Sequence, residues 1–284
     1  MQFPVEFTKM SGAGNDFILI DHRRPIFSDT AAAQAFARAV CERKFSVGAD
    51  GLILLEESPE ADFRWQFFNA DGSLADMCGN GARCAARFAH AHGMAPARMR
   101  FATLAGIIEA EVTGTTVCLT MTPPRDFSLS QQLDTPAGGT ETVHSVNTGV
   151  PHAVIWAAEI EAAPIREWGR HFRFHPRFAP AGTNVNFVGL LGENLLRVRT
   201  YERGVEDETM ACGTGAVAAA LVAARLGRVA SPTRIITSGR EELTIHYQRE
   251  GDDFSQVRLE GPADFIYVGQ LNREAVRRQS PAGL

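Results

Sequence analysis

Apolar positions along the chain alternate or cluster in short runs, and these runs predict strands separated by a few helical stretches. In the first half, an alanine-rich stretch capped at Ser28 or Asp29 predicts a helix that ends near residue 43. The strands predicted in this half cover residues 3–9, 16–21, 51–56, 63–69, 98–103, 106–112 and 116–122. Residues 123–142 begin with two prolines and continue as a polar, glycine-containing run, so we expect them to form a crossing between two domains.

The second half repeats this order of elements. A helix is predicted near residues 164–173. The predicted strands of this half cover residues 143–147, 151–156, 184–190, 195–202, 233–238, 241–248, 256–260 and 264–270. Strands, a central helix and strands again, occurring twice, predict an α+β protein of two domains that each wrap a sheet around one helix. Periodicity alone also allows one larger α+β domain.

A short turn sequence occurs twice and leads each time into an alanine-rich helical stretch. The sequence Cys-Gly-x-Gly-Ala begins at Cys78 and again at Cys212, about half the chain length later. Both stretches end in a glycine, Gly93 and Gly227, at the same distance from their cysteines. We interpret the chain as two similar halves, each of which places one thiol at the start of a buried helix.

The two turns have the chemistry of a carboxylate site. Glycines that open a helix leave backbone N–H groups unpaired, and the helix dipole adds partial positive charge there. A cysteine at the same place has its thiolate stabilised, which moves its pKa from about 8.5 toward neutrality. Two opposed thiols facing one carboxylate would suit inversion of an amino acid at its α-carbon, because a thiolate removes the proton and a thiol supplies one. The alternative is that both cysteines are small buried apolar residues.

The composition argues against several classes of protein. The formal net charge of −5 provides no basic surface for nucleic acid or an anionic membrane. The five cysteines are an odd number without a C-x-x-C pair, which argues against a disulfide scaffold or a zinc ribbon. Lysine occurs only at Lys9 and Lys44, which agrees with chemistry that needs no pyridoxal phosphate. Without a signal-like N-terminus or an apolar run of about 18 residues, we expect a cytoplasmic protein.

Eight segments stand in the order found in diaminopimelate epimerases, and this resemblance covers nearly the whole chain. The segments are Gly12–Phe17, Gly48–Gly51, Phe68–Ser73, Met77–Arg83, Gly149–His152, Asn184–Phe187, Tyr201–Gly204 and Glu208–Gly215. The resemblance implies two pseudo-symmetric domains, each a mostly antiparallel strand barrel wrapped around a central helix, with the active site in the cleft between them. The N-terminal domain would cover residues 1–124 plus 269–284 and carry Cys78, and the C-terminal domain would cover residues 125–268 and carry Cys212.

The resemblance also implies an activity. The chain would epimerise LL-diaminopimelate to the meso form, in lysine and peptidoglycan-precursor biosynthesis, as a homodimer with no cofactor and no metal. Cys78 and Cys212 would be the acid–base pair. His152 and Glu202 would assist proton transfer or set the protonation of the thiols.

The substrate-binding residues are likewise carried over from the family. Backbone amides that would hold the carboxylate at the reacting centre belong to Gly79, Asn80, Gly213 and Thr214. Side chains that would bind the distal amino-acid end belong to Asn15, Asn69, Asn184 and Arg203, and Glu202 would also contact the substrate. Arginine suits this end because its fork pairs bidentately with a carboxylate. Asp50 and Asp71 are interpreted as turn-forming residues.

Two departures from the family leave alternatives open. Val150 stands where the family often has asparagine, and the loop Arg203–Glu208 is one residue longer than the common form. Both lie on the substrate-recognition side, so the same chemistry on another amino acid, as in a histidine racemase-like enzyme, is a second hypothesis. A non-catalytic amino-acid-binding protein is a third, and a redox role for the thiols is a fourth. His171 and His175 have a metal-like spacing, but no carboxylate motif accompanies them and we expect a solvated pair.

Overall fold

The computed structural model describes residues 2–279, so Met1 and residues 280–284 of the predicted N-terminal domain lie outside it. The first elements are β1 Val5–Gly12, β2 Asn15–Asp21, α1 Thr30–Cys41, β3 Gly51–Glu56, β4 Phe63–Asn69, α2 Gly79–Ala91, β5 Arg98–Thr103, β6 Gly106–Thr113 and β7 Thr116–Thr120. The others are β8 Arg125–Asp134, β9 Thr140–Asn147, β10 Pro151–Trp156, α3 Ile165–Arg173, β11 Asn184–Gly192, β12 Leu195–Glu202, β13 Asp207–Thr209, α4 Gly213–Arg225, β14 Thr233–Ile236, β15 Glu242–Glu250, β16 Asp253–Pro262 and β17 Asp264–Leu271. Short 3-10 turns occur at Ile160–Ala162, Pro176–Phe178 and Arg273–Gln279.

Contacts along the backbone divide the described residues into two compact units. Unit 1 contains the residues up to Leu119 and those from Pro262 onward, and unit 2 contains Thr120–Gly261. Helix α2 lies in unit 1 and helix α4 lies in unit 2. Each unit therefore contains one of the two cysteine turns. None of the helices within residues 2–279 has the length and apolar character needed to span a membrane.

The strands of the two units pair in the same order. In unit 1, β1 and β2 are antiparallel, β2 and β3 parallel, β3 and β4 antiparallel, β4 and β5 parallel, and β5, β6 and β7 antiparallel. In unit 2, β9, β10, β11, β12, β14 and β15 follow the same alternation, and β15 and β16 complete it as an antiparallel pair. An outer strand then pairs antiparallel with the first of each set, β17 with β1 and β8 with β9. The repeat predicted from the sequence therefore appears in the structure as a repeated order of strand pairing.

Each unit surrounds one helix with its strands. Helix α2 contacts β1, β2, β3 and β6, and helix α4 contacts β9, β10, β11, β12, β14 and β15. Ten consecutive residues of α4, Gly215–Ala224, are buried, so no face of this part of the helix is exposed to water. The small alanine side chains let the strands approach the helix from several directions. The predicted α+β fold, with a central helix in each half, is confirmed.

The two central helices also end in the same way. Gly93 and Gly227 have positive φ values of 64° and 71°, a conformation that glycine adopts without steric cost. The following residues close the helices, because Met94 N–H donates to the Ala89 carbonyl at 2.8 Å and Arg228 N–H donates to the Ala223 carbonyl at 2.9 Å.

The predicted crossing at residues 123–142 is wrong. Within it, Arg125–Asp134 form β8, which pairs antiparallel with β9 and shifts register at two places. Only Leu133 of this strand is buried, so its sequence lacks the apolar alternation that identifies a half-buried strand. Backbone hydrogen bonds to β9 hold the strand in place. The short strand β13 and the 3-10 turns were not predicted either.

Candidate functional site

Cys78 occupies the N-cap of α2. Its backbone is extended, with φ −147° and ψ 118°, and its Sγ atom accepts from the Gly81 N–H at 3.5 Å. The Cys78 carbonyl accepts the first helical hydrogen bond, from Ala82 N–H at 2.8 Å. A side chain at Gly79 would meet no described atom within 4 Å, so there is open space beside the first turn of the helix. The turn is thus arranged like an anion site at a helix start.

Cys212 occupies the equivalent position on α4. Its φ of −121° and ψ of 107° are also extended, and its carbonyl accepts from Ala216 N–H at 2.9 Å. Its Sγ atom lies 3.6 Å from the Thr214 hydroxyl. Gly215 lies next to this sulfur, since a Cβ atom at Gly215 would be 3.2 Å from Cys212 Sγ. Both units therefore place a cysteine at the N-cap of the central helix.

The cysteines of the two turns are more exposed to solvent than two other cysteines of the chain. Cys78 and Cys212 are half-buried, whereas Cys41 and Cys84 are buried. Burial raises the pKa of Cys41 and of Cys84 to about 12, so both stay protonated thiols. Cys84 lies on the same helix as Cys78, and its burial indicates a packing role. The interpretation of Cys78 and Cys212 as buried apolar residues does not agree with their partial exposure.

A chain of hydrogen bonds in unit 1 links two of the predicted substrate-binding asparagines. Arg83, buried on α2, donates to Asn80 Oδ1 at 2.8 Å. Asn80 Nδ2 donates to Asn15 Oδ1 at 2.8 Å, and Asn15 Nδ2 donates to Asp50 Oδ2 at 2.8 Å. Arg43 completes the chain with an ion pair to Asp50 at 2.9 Å. These contacts fix the orientation of both amides, and they occupy the Asn80 side chain within the protein.

Asn69 lies at the end of β4, in a turn that its neighbours stabilise. Its Nδ2 donates to the Ser73 hydroxyl at 3.0 Å, and Asp71 accepts from Ser73 N–H at 2.8 Å. Asp71 is thus a turn-forming residue, as predicted. Asp50 is more than that, because it also anchors Asn15, and the sequence interpretation missed this contact.

His152 is fully buried on β10 in unit 2. Its Nδ1 lies 3.1 Å from Asn186 Nδ2, on the neighbouring strand β11. Burial lowers the pKa of His152 to about 3, and the positive charge of Arg203 acts in the same direction. The imidazole is therefore neutral over the physiological pH range.

Asn184, Glu202 and Arg203 lie near one another through backbone and side-chain contacts. Asn184 Oδ1 accepts from Arg203 N–H at 2.8 Å, and Asn184 Nδ2 donates to the Pro151 carbonyl at 3.3 Å. Glu202 accepts from the Thr209 hydroxyl at 2.8 Å. Burial raises the pKa of Glu202, although the hydrogen bond from Thr209 opposes this shift. His152, Asn184, Glu202 and Arg203 thus lie at the ends of β10, β11 and β12.

Three residues with clear structural links to the site were not predicted from the sequence as site residues. They are Asp50 and Arg83 in unit 1 and Asn186 in unit 2. All three stand within the family-like segments, so the segments were the available signal. Which partner each would contact depends on strand register and helix packing, which the sequence does not specify.

His171 and His175 are not the solvated pair we expected, because Asp134 at the end of β8 accompanies them. His175 Nε2 donates to Asp134 Oδ1 at 2.9 Å, and His171 Nε2 donates to the Asp134 carbonyl at 2.8 Å. The ligand atoms of this trio lie within 4.8 Å of one another. His175 Nδ1, however, accepts from Arg177 N–H at 3.1 Å, so in the neutral ring Nε2 carries the proton and cannot bind a metal. The trio is a hydrogen-bonded cluster that connects β8 to α3.

Comparison with known sequences agrees with the resemblance carried by the eight segments. A family model for diaminopimelate epimerase matches residues 7–125 and 144–266. The diaminopimelate epimerase of Aquifex aeolicus is 44% identical over 283 residues, which cover 96% of this chain and 99% of that protein. The diaminopimelate epimerase of Chlorobaculum tepidum is 45% identical over 266 residues, which cover 92% of this chain and 99% of that protein.

Solved structures with little sequence similarity share the fold. A phenazine biosynthesis protein of the PhzF family from Bacillus anthracis has a TM-score of 0.74 at 13% identity, covering 95% of this chain and 100% of that chain. A probable proline racemase from Agrobacterium radiobacter has a TM-score of 0.66 at 17% identity, covering 95% of this chain and 93% of that chain. These similarities support the architecture alone.

Proposed function

This chain belongs to the diaminopimelate epimerase family, and from this premise we propose that it converts LL-diaminopimelate to the meso form with Cys78 and Cys212 as its two bases. The observation that carries the proposal is the matched position of the two cysteines. Each is a half-buried N-cap residue on the central helix of its own unit, with a glycine directly after it. We propose that the two units are the two domains of the enzyme, with one cysteine acting from each.

In the proposed reaction, one thiolate removes the α-proton of the substrate and the opposite thiol donates a proton to the other face. Negative charge spreads into the α-carboxylate while the carbanion forms. The backbone N–H groups at Gly79-Asn80 and Gly213-Thr214 would stabilise this charge, because both pairs open a helix. The chemistry assigned to these residues uses no cofactor and no metal.

His152 and Glu202 would assist proton transfer or set the protonation of the thiols. Burial favours the uncharged form of both groups. At Glu202 this shift reduces repulsion between its carboxyl group and the carboxylate of the substrate. The side chains proposed to bind the distal amino-acid end are those of Asn15, Asn69, Asn184 and Arg203. We further propose that the enzyme is a cytoplasmic homodimer acting in lysine biosynthesis.

The proposal is tested by incubating the protein with LL-diaminopimelate and separating the stereoisomers. We expect the wild-type protein to form the meso isomer. Cys78→Ser and Cys212→Ser should each lose most of this activity and keep the wild-type circular dichroism spectrum. Cys118→Ser is the matched control, since Cys118 is also half-buried but lies within strand β7 and not at the N-cap of a helix. Near wild-type turnover by Cys78→Ser or Cys212→Ser would contradict the two-base assignment.

Substrate identity needs a separate measurement, because Val150 replaces the asparagine often found in the family. A panel of amino acids that includes histidine and lysine should be incubated in heavy water alongside diaminopimelate. We expect exchange of the α-proton to be fastest with diaminopimelate. Faster exchange with another amino acid would agree with the proposed two-base reaction but contradict diaminopimelate as the substrate.

A further inference from the structure

Asn186 makes hydrogen bonds with both ends of its side-chain amide, although it is fully buried on β11. Its Nδ2 lies 2.9 Å from the Ala153 carbonyl and 3.1 Å from His152 Nδ1. Its Oδ1 accepts from the Thr200 hydroxyl at 2.9 Å. Every polar atom of this amide therefore has a partner inside unit 2.

The orientation of the amide follows from the Ala153 carbonyl. A carbonyl oxygen only accepts hydrogen bonds, so the amide atom that faces it must be the nitrogen. The nitrogen has two hydrogens, and the second one points to His152 Nδ1. The hydroxyl of Thr200 can donate to the oxygen at the other end of the amide, which agrees with this orientation.

The orientation of the Asn186 amide determines which ring nitrogen of neutral His152 carries the proton. A nitrogen that accepts a hydrogen bond cannot carry a proton, so Nδ1 of the neutral imidazole is bare and Nε2 carries the hydrogen. Nε2 is buried, and no described residue accepts its hydrogen bond. A buried donor without an acceptor is costly, so an acceptor supplied by a bound molecule would relieve this cost.

Asn186 also lies against the turn that carries Cys212. A Cβ atom at Gly215 would lie 2.3 Å from Asn186 Oδ1 and 3.2 Å from the Cys212 sulfur. The amide thus connects the imidazole on β10 to the first turn of α4. A glycine at this point of the helix is what allows the close approach.

We propose that Asn186 is a positioning residue that holds His152 in the form protonated on Nε2, so that in the proposed reaction His152 acts as a hydrogen-bond donor and not as a base. The role of the donor rests on the proposed epimerase function. The assignment of the proton rests only on the contacts of Asn186 within unit 2.

The proton position can be measured by nuclear magnetic resonance on the full-length protein labelled with ¹⁵N. Long-range ¹H–¹⁵N correlation spectra distinguish protonated from bare ring nitrogens, and the signals that disappear in His152→Gln identify His152. We expect a bare Nδ1 and a protonated Nε2 in the wild-type protein. A protonated Nδ1 in the wild-type protein would overturn the proposal without any variant of Asn186.

The variant Asn186→Asp tests whether Asn186 determines the position of the proton on His152. The carboxylate can only accept, so Nδ1 of His152 should become protonated, and kcat on diaminopimelate should fall about 10-fold or more with KM changed less than about 3-fold. Thr200→Val is the matched control, because it removes the contact at Oδ1 and leaves the Ala153 carbonyl to orient the amide. It should keep the wild-type ring signals.

Two results would contradict the proposal: a bare Nδ1 in Asn186→Asp, or a kcat of that variant within about 2-fold of wild type. Failure of the proposed function would look different. The wild-type protein would then not exchange the α-proton of diaminopimelate, while the ring signals would still decide which nitrogen of His152 carries the proton.

Discussion

Burial acts on His152 and Glu202 in opposite directions on the pKa scale, and both shifts favour the uncharged form. The pKa of His152 falls to about 3, whereas the pKa of Glu202 rises above its usual value. The polar contacts of these residues do not reverse the effect of burial. At both groups that we place beside the reacting centre, burial thus disfavours the charged form.

The shift at His152 predicts a pH dependence of stability. The unfolded state binds a proton on this residue below about pH 6.5, but the folded state does so only near pH 3. Acidification between these values therefore favours the unfolded state, by about 1.4 kcal/mol per pH unit. We expect the free energy of unfolding of the wild-type protein to fall more steeply with acidification than that of His152→Gln. Urea unfolding at several pH values measures the difference, and parallel curves would contradict it.

The sequence could predict the identities of these residues but not their surroundings. His152 and Glu202 were found because they stand in family-like segments. The contact of His152 with Asn186 depends on the parallel register of β10 and β11, in which His152 is the partner of Asn184. Neither periodicity nor spacing specifies that register, so Asn186 was missed although it stands two positions after a predicted site residue.

At the scale of the elements, helices α2 and α4 have the same length and the same kind of start and end. Both begin one residue after a cysteine, contain 13 residues and end before a glycine with positive φ. They differ in how tightly their third residue is packed. A Cβ atom at Gly81 would lie 3.2 Å from the flexible end of Ile53, whereas at Gly215 it would lie 2.3 Å from Asn186 Oδ1.

This difference predicts unequal effects of alanine at the two positions. Gly215→Ala should lower the free energy of unfolding by about 1–3 kcal/mol, because the Asn186 amide would have to move. Gly81→Ala should change it by less than about 1 kcal/mol, since the side chain of Ile53 can adjust and alanine favours the helix. Chemical denaturation compares the two variants. Equal destabilisation would contradict the contact between α4 and Asn186.

Helices and most strands could be predicted because their apolar periodicity or their alanine content is strong. The outer strand β8 could not, since its side chains are mostly exposed or half-buried and it is held by backbone hydrogen bonds to β9. Missing β8 also hid Asp134, the carboxylate that accompanies His171 and His175. A strand without a buried face leaves little trace in the sequence.

At the scale of the whole molecule, the exposed apolar surface of β17 supports the proposed homodimer. Four consecutive residues, Phe265–Val268, are between 37% and 63% exposed. Adjacent strand residues point to opposite faces, so apolar groups are exposed on both faces of the strand. Such a surface is typical of a protein–protein contact.

Val268→Asp should therefore convert the proposed dimer to a monomer, because an aspartate would be buried in the contact without a partner. Leu104→Asp is the matched control, since Leu104 is exposed to a similar extent in a turn after β5 and should not affect assembly. Light scattering after gel filtration measures the mass. A monomeric wild-type protein, or a dimeric Val268→Asp variant, would contradict this interface.

The proposal that two thiols act from opposite faces is tested most directly by the partition of deuterium early in the reaction. LL-diaminopimelate is incubated with the enzyme in heavy water, and both isomers are analysed by mass spectrometry before equilibrium. We predict one deuterium at the α-carbon of nearly all meso product and little in the recovered LL isomer, because the proton-donating thiol has exchanged with solvent and the proton-removing thiol has not. Equal deuterium content in the two isomers, or none in the product, would contradict the two-base reaction.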